Sequence, residues 1–292
     1  MRWEDIPGWF DFASIYYEQI QRARSGARFV EVGCYLGRSS CYMASKIRDS
    51  GKRIEFYCVD TWTGSPPDRY NGEAIRRAVE ENGGSIRRLF DENVRGCGLE
   101  SWITPIEMPS VQAAAMFEDE SLDFVFIDAD HSPQAVYDDL NAWWPKLRPG
   151  GLLAGHDYDG EGVQGATKRF CNERSVACYG DGAHTPHGYR SFGIPKPRTE
   201  PVRILLAIPS YDGLYGGELL QRAYTCPYSG PGSVVVLCQR SSALANNFNS
   251  MWVCALNDPS ITHFAMVHAD VTPPRFWLDI LMHEMDATGA QF

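Results

Sequence analysis

The segment Phe29-Val-Glu-Val-Gly-Cys-Tyr-Leu-Gly-Arg-Ser-Ser40 places one acid and two glycines at a spacing that a ligand-binding turn can use. An apolar run over residues 29–32 enters a turn built on Gly33 and Gly37, and a helix opens at Arg38-Ser39-Ser40. A dinucleotide site needs the tighter G-x-G-x-x-G, because two backbones and a pyrophosphate crowd together at a helix N-terminus. Here the turn reads Glu31-x-Gly33-x-x-x-Gly37, with a carboxylate where a pyrophosphate would be repelled. Such a carboxylate favours a cationic cofactor without phosphates. Three further apolar runs end in acids or histidines: Asp60, Asp128-Ala-Asp130-His131, and His156-Asp157. Carboxylates and imidazoles in this arrangement are groups for binding a divalent metal or for moving a proton.

These side chains need an alternating α/β framework to bring them together. Strands are expected over residues 29–32, 54–59, 102–107, 124–128 and 152–154, with helices between them. Residues 133–147 place Val136, Leu140, Trp143 or Trp144, and Leu147 on one helical face, and Pro149-Gly150-Gly151 stops that helix. Residues 175–179 and 189–194 read as closing strands around a surface loop that holds His184 and His187. The fold class expected is a doubly wound, mostly parallel Rossmann-like sheet, with crevice residues at the C-terminal strand ends.

With these motifs in view, residues 1–197 resemble class I S-adenosylmethionine-dependent methyltransferases, and among them the small-molecule and sugar O-methyltransferases. The glycine turn matches the first cofactor motif. Val59-Asp60-Thr61-Trp62 matches the end of the second strand, 123–131 the fourth strand, and 147–158 the turn and fifth strand. The resemblance implies a cofactor site of Glu31, Gly33, Tyr35, Gly37, Ser39, Asp60, Thr61, Trp62, Ser110 and Asp128. Asp60 would take the ribose hydroxyls and Ser110 would lie near the adenine, or serve only as a helix cap. Asp128 and Asp157 would end neighbouring strands about 4.8 Å apart. Both could then reach one divalent cation such as magnesium, with His156 as a further ligand, and the ion would activate and orient a substrate hydroxyl. The alternative is a metal-free site in which Asp128 positions substrate and His131 or His156 is the base. Trp62, Tyr158 and the loop 157–161 are expected to border the acceptor cleft, or else to be packing residues.

Residues 195–201, Pro-Lys-Pro-Arg-Thr-Glu-Pro, read as a linker, after which the α/β pattern restarts over 198–292. Strands are expected at 202–208, 233–237 and 262–267, and helices at 217–224, 242–256 and 276–287. The motifs Pro209-Ser210-Tyr211-Asp212-Gly213 and His268-Ala-Asp270 resemble the N-terminal half of family-2-like glycosyltransferases of the A-type fold. That resemblance implies a nucleotide-sugar site with His268 and Asp270 on a metal. The unit is expected to be smaller and incomplete, because no acceptor-binding half follows before Phe292. A docking module without activity is the other reading.

The bulk numbers exclude several classes. A net charge of −10 among 292 residues argues against broad nucleic-acid binding. No run approaches a membrane span. Nine scattered cysteines without a C-x-x-C pair read as reduced thiols, hence a cytoplasmic protein. The partner expected is a small hydroxylated acceptor, with a sugar or glycan favoured by the second unit; a homo-oligomer is allowed. A nucleotide-dependent oxidoreductase is disfavoured by the missing glycine and by Glu31. A non-catalytic scaffold would show no cofactor dependence at all.

Overall fold

The computed structural model describes residues 1–64, 72–180, 190–197, 202–210, 232–240, 244–258 and 260–267, together with Leu278 and Met282. The chain divides into two compact units. One is Met1–Arg174 with Cys178–Lys196; the other is Pro197–Phe292 with Ser175–Ala177.

The first unit is built on seven strands: β1 (Ala27–Val32), β2 (Ile54–Asp60), β3 (Thr104–Glu107), β4 (Leu122–Ile127), β5 (Leu147–Gly155), β6 (Tyr179–Gly180) and β7 (Phe192–Pro195). Their order in the sheet is β3-β2-β1-β4-β5-β7-β6. Strands β1 to β5 are parallel, and β7 runs antiparallel to β5 and β6. The central strands carry near-continuous apolar runs because helices cover both faces of a parallel sheet; all six residues of β4 are buried. The order reverses between β1 and β4, so the chain departs in opposite directions at their ends and leaves a crevice there.

The helices are α1 (Ala13–Arg22), α2 (Arg38–Ser50), α3 (Gly72–Glu81), α4 (Arg87–Gly96), α5 (Ser110–Ala114), α6 (Pro133–Trp143) and α7 (Glu161–Arg174). Helix α2 starts after Gly37 and stops at Gly51, both in the left-handed conformation that glycine tolerates. Phe12 and Tyr16 press on the sheet, with the Phe12 ring stacked on Phe126 at 4.5 Å and Tyr16 edge-on to it at 4.9 Å.

Two boundaries differ from the sequence expectation. Helix α6 ends at Trp143, a 3-10 turn follows over Trp144–Lys146, and β5 already begins at Leu147, five residues earlier than expected. Leu147 pairs with Leu122, after which the register shifts and Gly150 takes a φ of +78°. The Pro-Gly-Gly run therefore makes an irregularity inside a strand instead of ending a helix. The closing strand expected at 175–179 is reduced to Tyr179–Gly180. His184 and His187 lie outside the described residues.

In the second unit, β8 (Val202–Ser210), β9 (Gly232–Arg240) and β10 (His263–Met266) form a parallel sheet in the order β10-β8-β9, accompanied by α8 (Leu244–Asn257). Ile204, Leu206 and Ile208 pack with Ala265, Val267, Leu278 and Met282. Tyr211, Asp212, Gly213, His268 and Asp270 lie outside the described residues, as do the expected helix 217–224 and nearly all of 276–287. Among the described residues no helix is long and apolar enough to cross a membrane.

Gly33 is the tightest point of the first unit. With φ at +87°, a Cβ there would sit 1.9 Å from the Asp128 carbonyl oxygen, whereas at Gly37 it would meet the Phe90 ring at 3.0 Å. Gly33→Ala must force the ends of β1 and β4 apart. It should lower unfolding stability by ~3 kcal/mol or more, on the scale of a severe overpacking, with Gly37→Ala milder. Urea-induced unfolding of the two variants measures this.

Candidate active site

The turn after β1 is held by one carboxylate. Asp60, the last residue of β2, accepts the backbone N–H of Cys34 at 2.8 Å and of Tyr35 at 2.9 Å on Oδ2, and that of Trp62 at 2.7 Å on Oδ1. Tyr35 and Trp62 are both left-handed, at φ +47° and +52°, and the Trp62 indole N–H donates to the Tyr35 carbonyl at 3.0 Å. Burial pushes the Asp60 carboxyl up, and the backbone N–H groups oppose this. Three amide donors therefore already engage the oxygens that the sequence reading gave to ribose hydroxyls, and Asp60 first of all fixes the shape of the turn. The Trp62 side chain is fully buried against Phe90, under the Arg87 guanidinium, and the residue belongs to the lining of the cavity that opens beside the turn.

Glu31 differs most from expectation. It is 1% exposed and lies outside the crevice, where it accepts hydrogen bonds from Tyr16 Oη at 2.9 Å and from Ser40 Oγ. The side chain leaves its strand towards α1 and α2, so it cannot meet a ligand in the turn. Burial lifts its pKa to about 7, against the lowering effect of the Ser39, Ser40 and Tyr16 hydroxyls. Glu31 also lies beside Cys34 and Cys58, with ligand atoms within 4.8 Å of one another. Burial pushes both thiols up, away from the thiolate a metal would need.

A cavity of about 630 Å³ opens over the C-terminal ends of β1, β2, β4 and β5. Gly33, Tyr35, Ser39, Thr61 and Ser110 line it, as the sequence reading expects. The Ser110 hydroxyl accepts the Trp143 indole N–H at 2.9 Å and bonds the buried Asp139, whose pKa burial raises to about 6. Tyr158 turns away, its ring packed on Phe192 and its hydroxyl near Cys178. Seven aspartates line the cavity: Asp11, Asp60, Asp128, Asp130, Asp138, Asp139 and Asp157. The arginines among the lining residues are Arg38 and Arg190. The preference for a cationic ligand that the sequence reading drew from Glu31 is thus carried by other acids.

At the floor, Asp128, His131 and Asp157 converge. His131 Nε2 stands 3.5 Å from Asp128 Oδ1 and 3.1 Å from Asp157 Oδ2, and one ligand atom from each residue lies within 4.8 Å of the others. His156 is placed differently. Its Nε2 faces Asp11 Oδ1 at 2.7 Å and its Nδ1 faces Asp157 Oδ2 at 3.3 Å. Burial alone would lower its pKa; the hydrogen bond to Asp157 and the charges of Asp128, Asp157 and Asp11 raise it to about 9. Both of its ring nitrogens thus face carboxylates, Asp11 on one side and Asp157 on the other, while His131 stands with Asp128 and Asp157 in one cluster. Burial raises the Asp157 carboxyl, but the hydrogen bond and charge of His156, then His131 and Arg190, bring it below the usual range.

Asp11, Arg38 and Arg190 also line the cavity and were not singled out from the sequence. Asp11 bonds Arg190 Nη1 at 2.8 Å as well as His156, and Arg38 Nη1 donates to the Gly8 carbonyl at 3.0 Å. The one local signal is an acid set in the aromatic run Gly8-Trp-Phe-Asp-Phe12.

Residues 30–158 match a protein family described as a methyltransferase domain. That span contains the glycine turn, Asp60, Asp128, His131 and Asp157. This segment is similar to a methyltransferase domain. The curated relative matched is the uncharacterized protein y4gI of Sinorhizobium fredii, 28% identical over 133 residues. The match takes in 45% of this chain and spans only 13% of that protein's length. Among solved structures, the chain is similar to the O-methyltransferase NovP at 14% identity. That alignment covers 64% of this chain and 79% of the other, with a TM-score of 0.48. A cofactor-bound protein, Rv0187 from MTB, gives 15% identity, coverage of 67% and 85%, and a TM-score of 0.44. A SAM-dependent O-methyltransferase from Thermotoga maritima gives 15%, 68%, 69% and 0.43.

Glu31 makes the stability of the first unit depend on pH. Its native pKa of about 7 lies above the unperturbed 4.5. Between those values the unfolded chain ionises while the native carboxyl stays protonated, so stability falls as pH rises and levels off above about 7. The contribution is up to ~3 kcal/mol. In urea titrations at pH 5 and pH 8, the stability of wild type relative to Glu31→Gln should shift by about that amount in favour of the variant at the higher pH.

Proposed function

We propose that the first unit is an S-adenosylmethionine-dependent O-methyltransferase that methylates a hydroxyl of a small molecule, with sugars or glycans as the acceptor class, assisted by a divalent cation. The observation that carries this reading is the convergence of Asp128, His131 and Asp157 in the same cavity as the pinned glycine turn. The cavity suits the cofactor in charge: its acidic lining favours a sulfonium and an ammonium and disfavours a pyrophosphate.

The donor set also suits a hard divalent cation, since two carboxylates and one imidazole face one another without a thiolate among them. Asp128, His131 and Asp157 would hold it, with His131 in the place that the sequence reading gave to His156. When bound, such an ion lowers the pKa of a ligating hydroxyl and orients it. The chain's own groups then do the rest. Asp60 keeps the turn in the shape that lets backbone approach the cofactor. The aromatic and acidic rim formed by Trp9, Phe10 and Asp11 borders the space left for an acceptor. For the second unit we propose a nucleotide-sugar-binding role accessory to the first. Support comes from its parallel sheet, in which the first strand lies between the second and the third and ends at Pro209-Ser210.

Calorimetric titration of the full chain should show binding of S-adenosylmethionine and none of NAD; binding of neither would sink the reading. With radiolabelled S-adenosylmethionine and a panel of catechols and sugars, EDTA, Asp128→Ala and Asp157→Ala should each cut methyl transfer ~100-fold or more. That is the scale of losing a group that stabilises transition-state charge. Activity untouched by EDTA would remove the metal from the account.

A further inference from the structure

Three segments far apart in the chain meet at one carboxylate. Asp11 lies between a 3-10 turn over Trp3–Asp5 and α1, His156 directly follows β5, and Arg190 precedes β7. Asp11 uses one oxygen for each partner: Oδ1 faces His156 Nε2 at 2.7 Å, and Oδ2 accepts from Arg190 Nη1 at 2.8 Å. The His156 ring is 7% exposed, lies 4.9 Å from the Phe12 ring, and has its backbone N–H bonded to the Ile127 carbonyl at 3.1 Å. Backbone and ring are thus both constrained. Its remaining nitrogen, Nδ1, faces Asp157 Oδ2 at 3.3 Å. Asp157 itself holds a left-handed φ of +53° outside any helix or strand.

We propose that Asp11 is a positioning residue for the acidic site: by gripping the outer nitrogen of His156 it fixes the ring whose inner nitrogen aims Asp157 at Asp128 and His131. The inference rests on the reading of Asp128, His131 and Asp157 as a cation site. It makes His156 the link between a rim carboxylate and the metal-binding carboxylate, a role that neither ligation nor proton transfer describes. Groups that orient ligands in this way typically change metal affinity about 10–100-fold when removed. A carboxylate that merely fastened the N-terminal segment would change stability and leave metal affinity alone.

The test is calorimetric titration of Mn²⁺ into the full chain, with Asp11→Ala and Asp11→Asn beside wild type and unfolding midpoints recorded for each. Asp11→Ala should weaken Mn²⁺ binding at least ~10-fold. Asp11→Asn keeps an acceptor oxygen for His156 and should stay within ~3-fold of wild type. If wild type binds Mn²⁺ and a folded Asp11→Ala binds it equally well, the positioning role is overturned while the cation site stands. If the alanine variant does not fold, Asp11→Leu, which is close to aspartate in size and offers His156 no acceptor, takes its place: a loss of at least ~10-fold supports the role, and wild-type affinity overturns it. If wild type binds no Mn²⁺, the cation reading fails and this inference fails with it.

Discussion

The Asp60 carboxylate accepting the amides of Cys34, Tyr35 and Trp62 is the contact on which the crevice depends. A charged acceptor with several backbone donors is a strong, directional anchor. It joins the end of β2 to the turn after β1 and holds two non-glycine residues in a left-handed conformation that would otherwise relax. The other side of the turn is fixed by contact with β4: the Asp128 N–H donates to the Val32 carbonyl at 2.8 Å, and Gly33 has no room for a side chain against Asp128. The glycine turn and the first acid of the site are thus built as one piece. An error in the turn is an error in the placement of Asp128.

Acids in this domain do two opposite jobs. Glu31 is sealed from water among hydroxyls and thiols, where burial holds its pKa near 7 and its ionisation costs stability. Asp157 sits among histidines and an arginine that favour its charged form. Negative charge in the crevice favours a cationic ligand there. The seven lining aspartates supply it, while the two histidines and two arginines beside them limit their mutual repulsion.

Much of this was legible in the sequence because buried parallel strands are short apolar runs that end abruptly in functional residues. The five parallel strands, the turn, Asp128 and Asp157 follow from that rule. Glu31 was misplaced because a motif records spacing and not direction. Successive strand residues face opposite ways, and Glu31 faces the helices. The start of β5 was missed because Pro-Gly-Gly stops helices and also permits a strand irregularity. The orientation of His156 depends on Asp11, 145 residues away along the chain. No local pattern encodes such a meeting; only the docking of the N-terminal segment creates it.

The central claim is that the turn pinned by Asp60 seats the cofactor. The most direct measurement is the affinity of the full chain for S-adenosylhomocysteine, the product form, in wild type and in Asp60→Asn, with folding checked by urea unfolding. Asparagine keeps one acceptor oxygen and loses the charge. The account predicts a folded variant whose affinity falls at least ~10-fold, equivalent to ~1.4 kcal/mol, the scale of a lost hydrogen bond to a charged group. Wild-type affinity in a folded Asp60→Asn variant would contradict it.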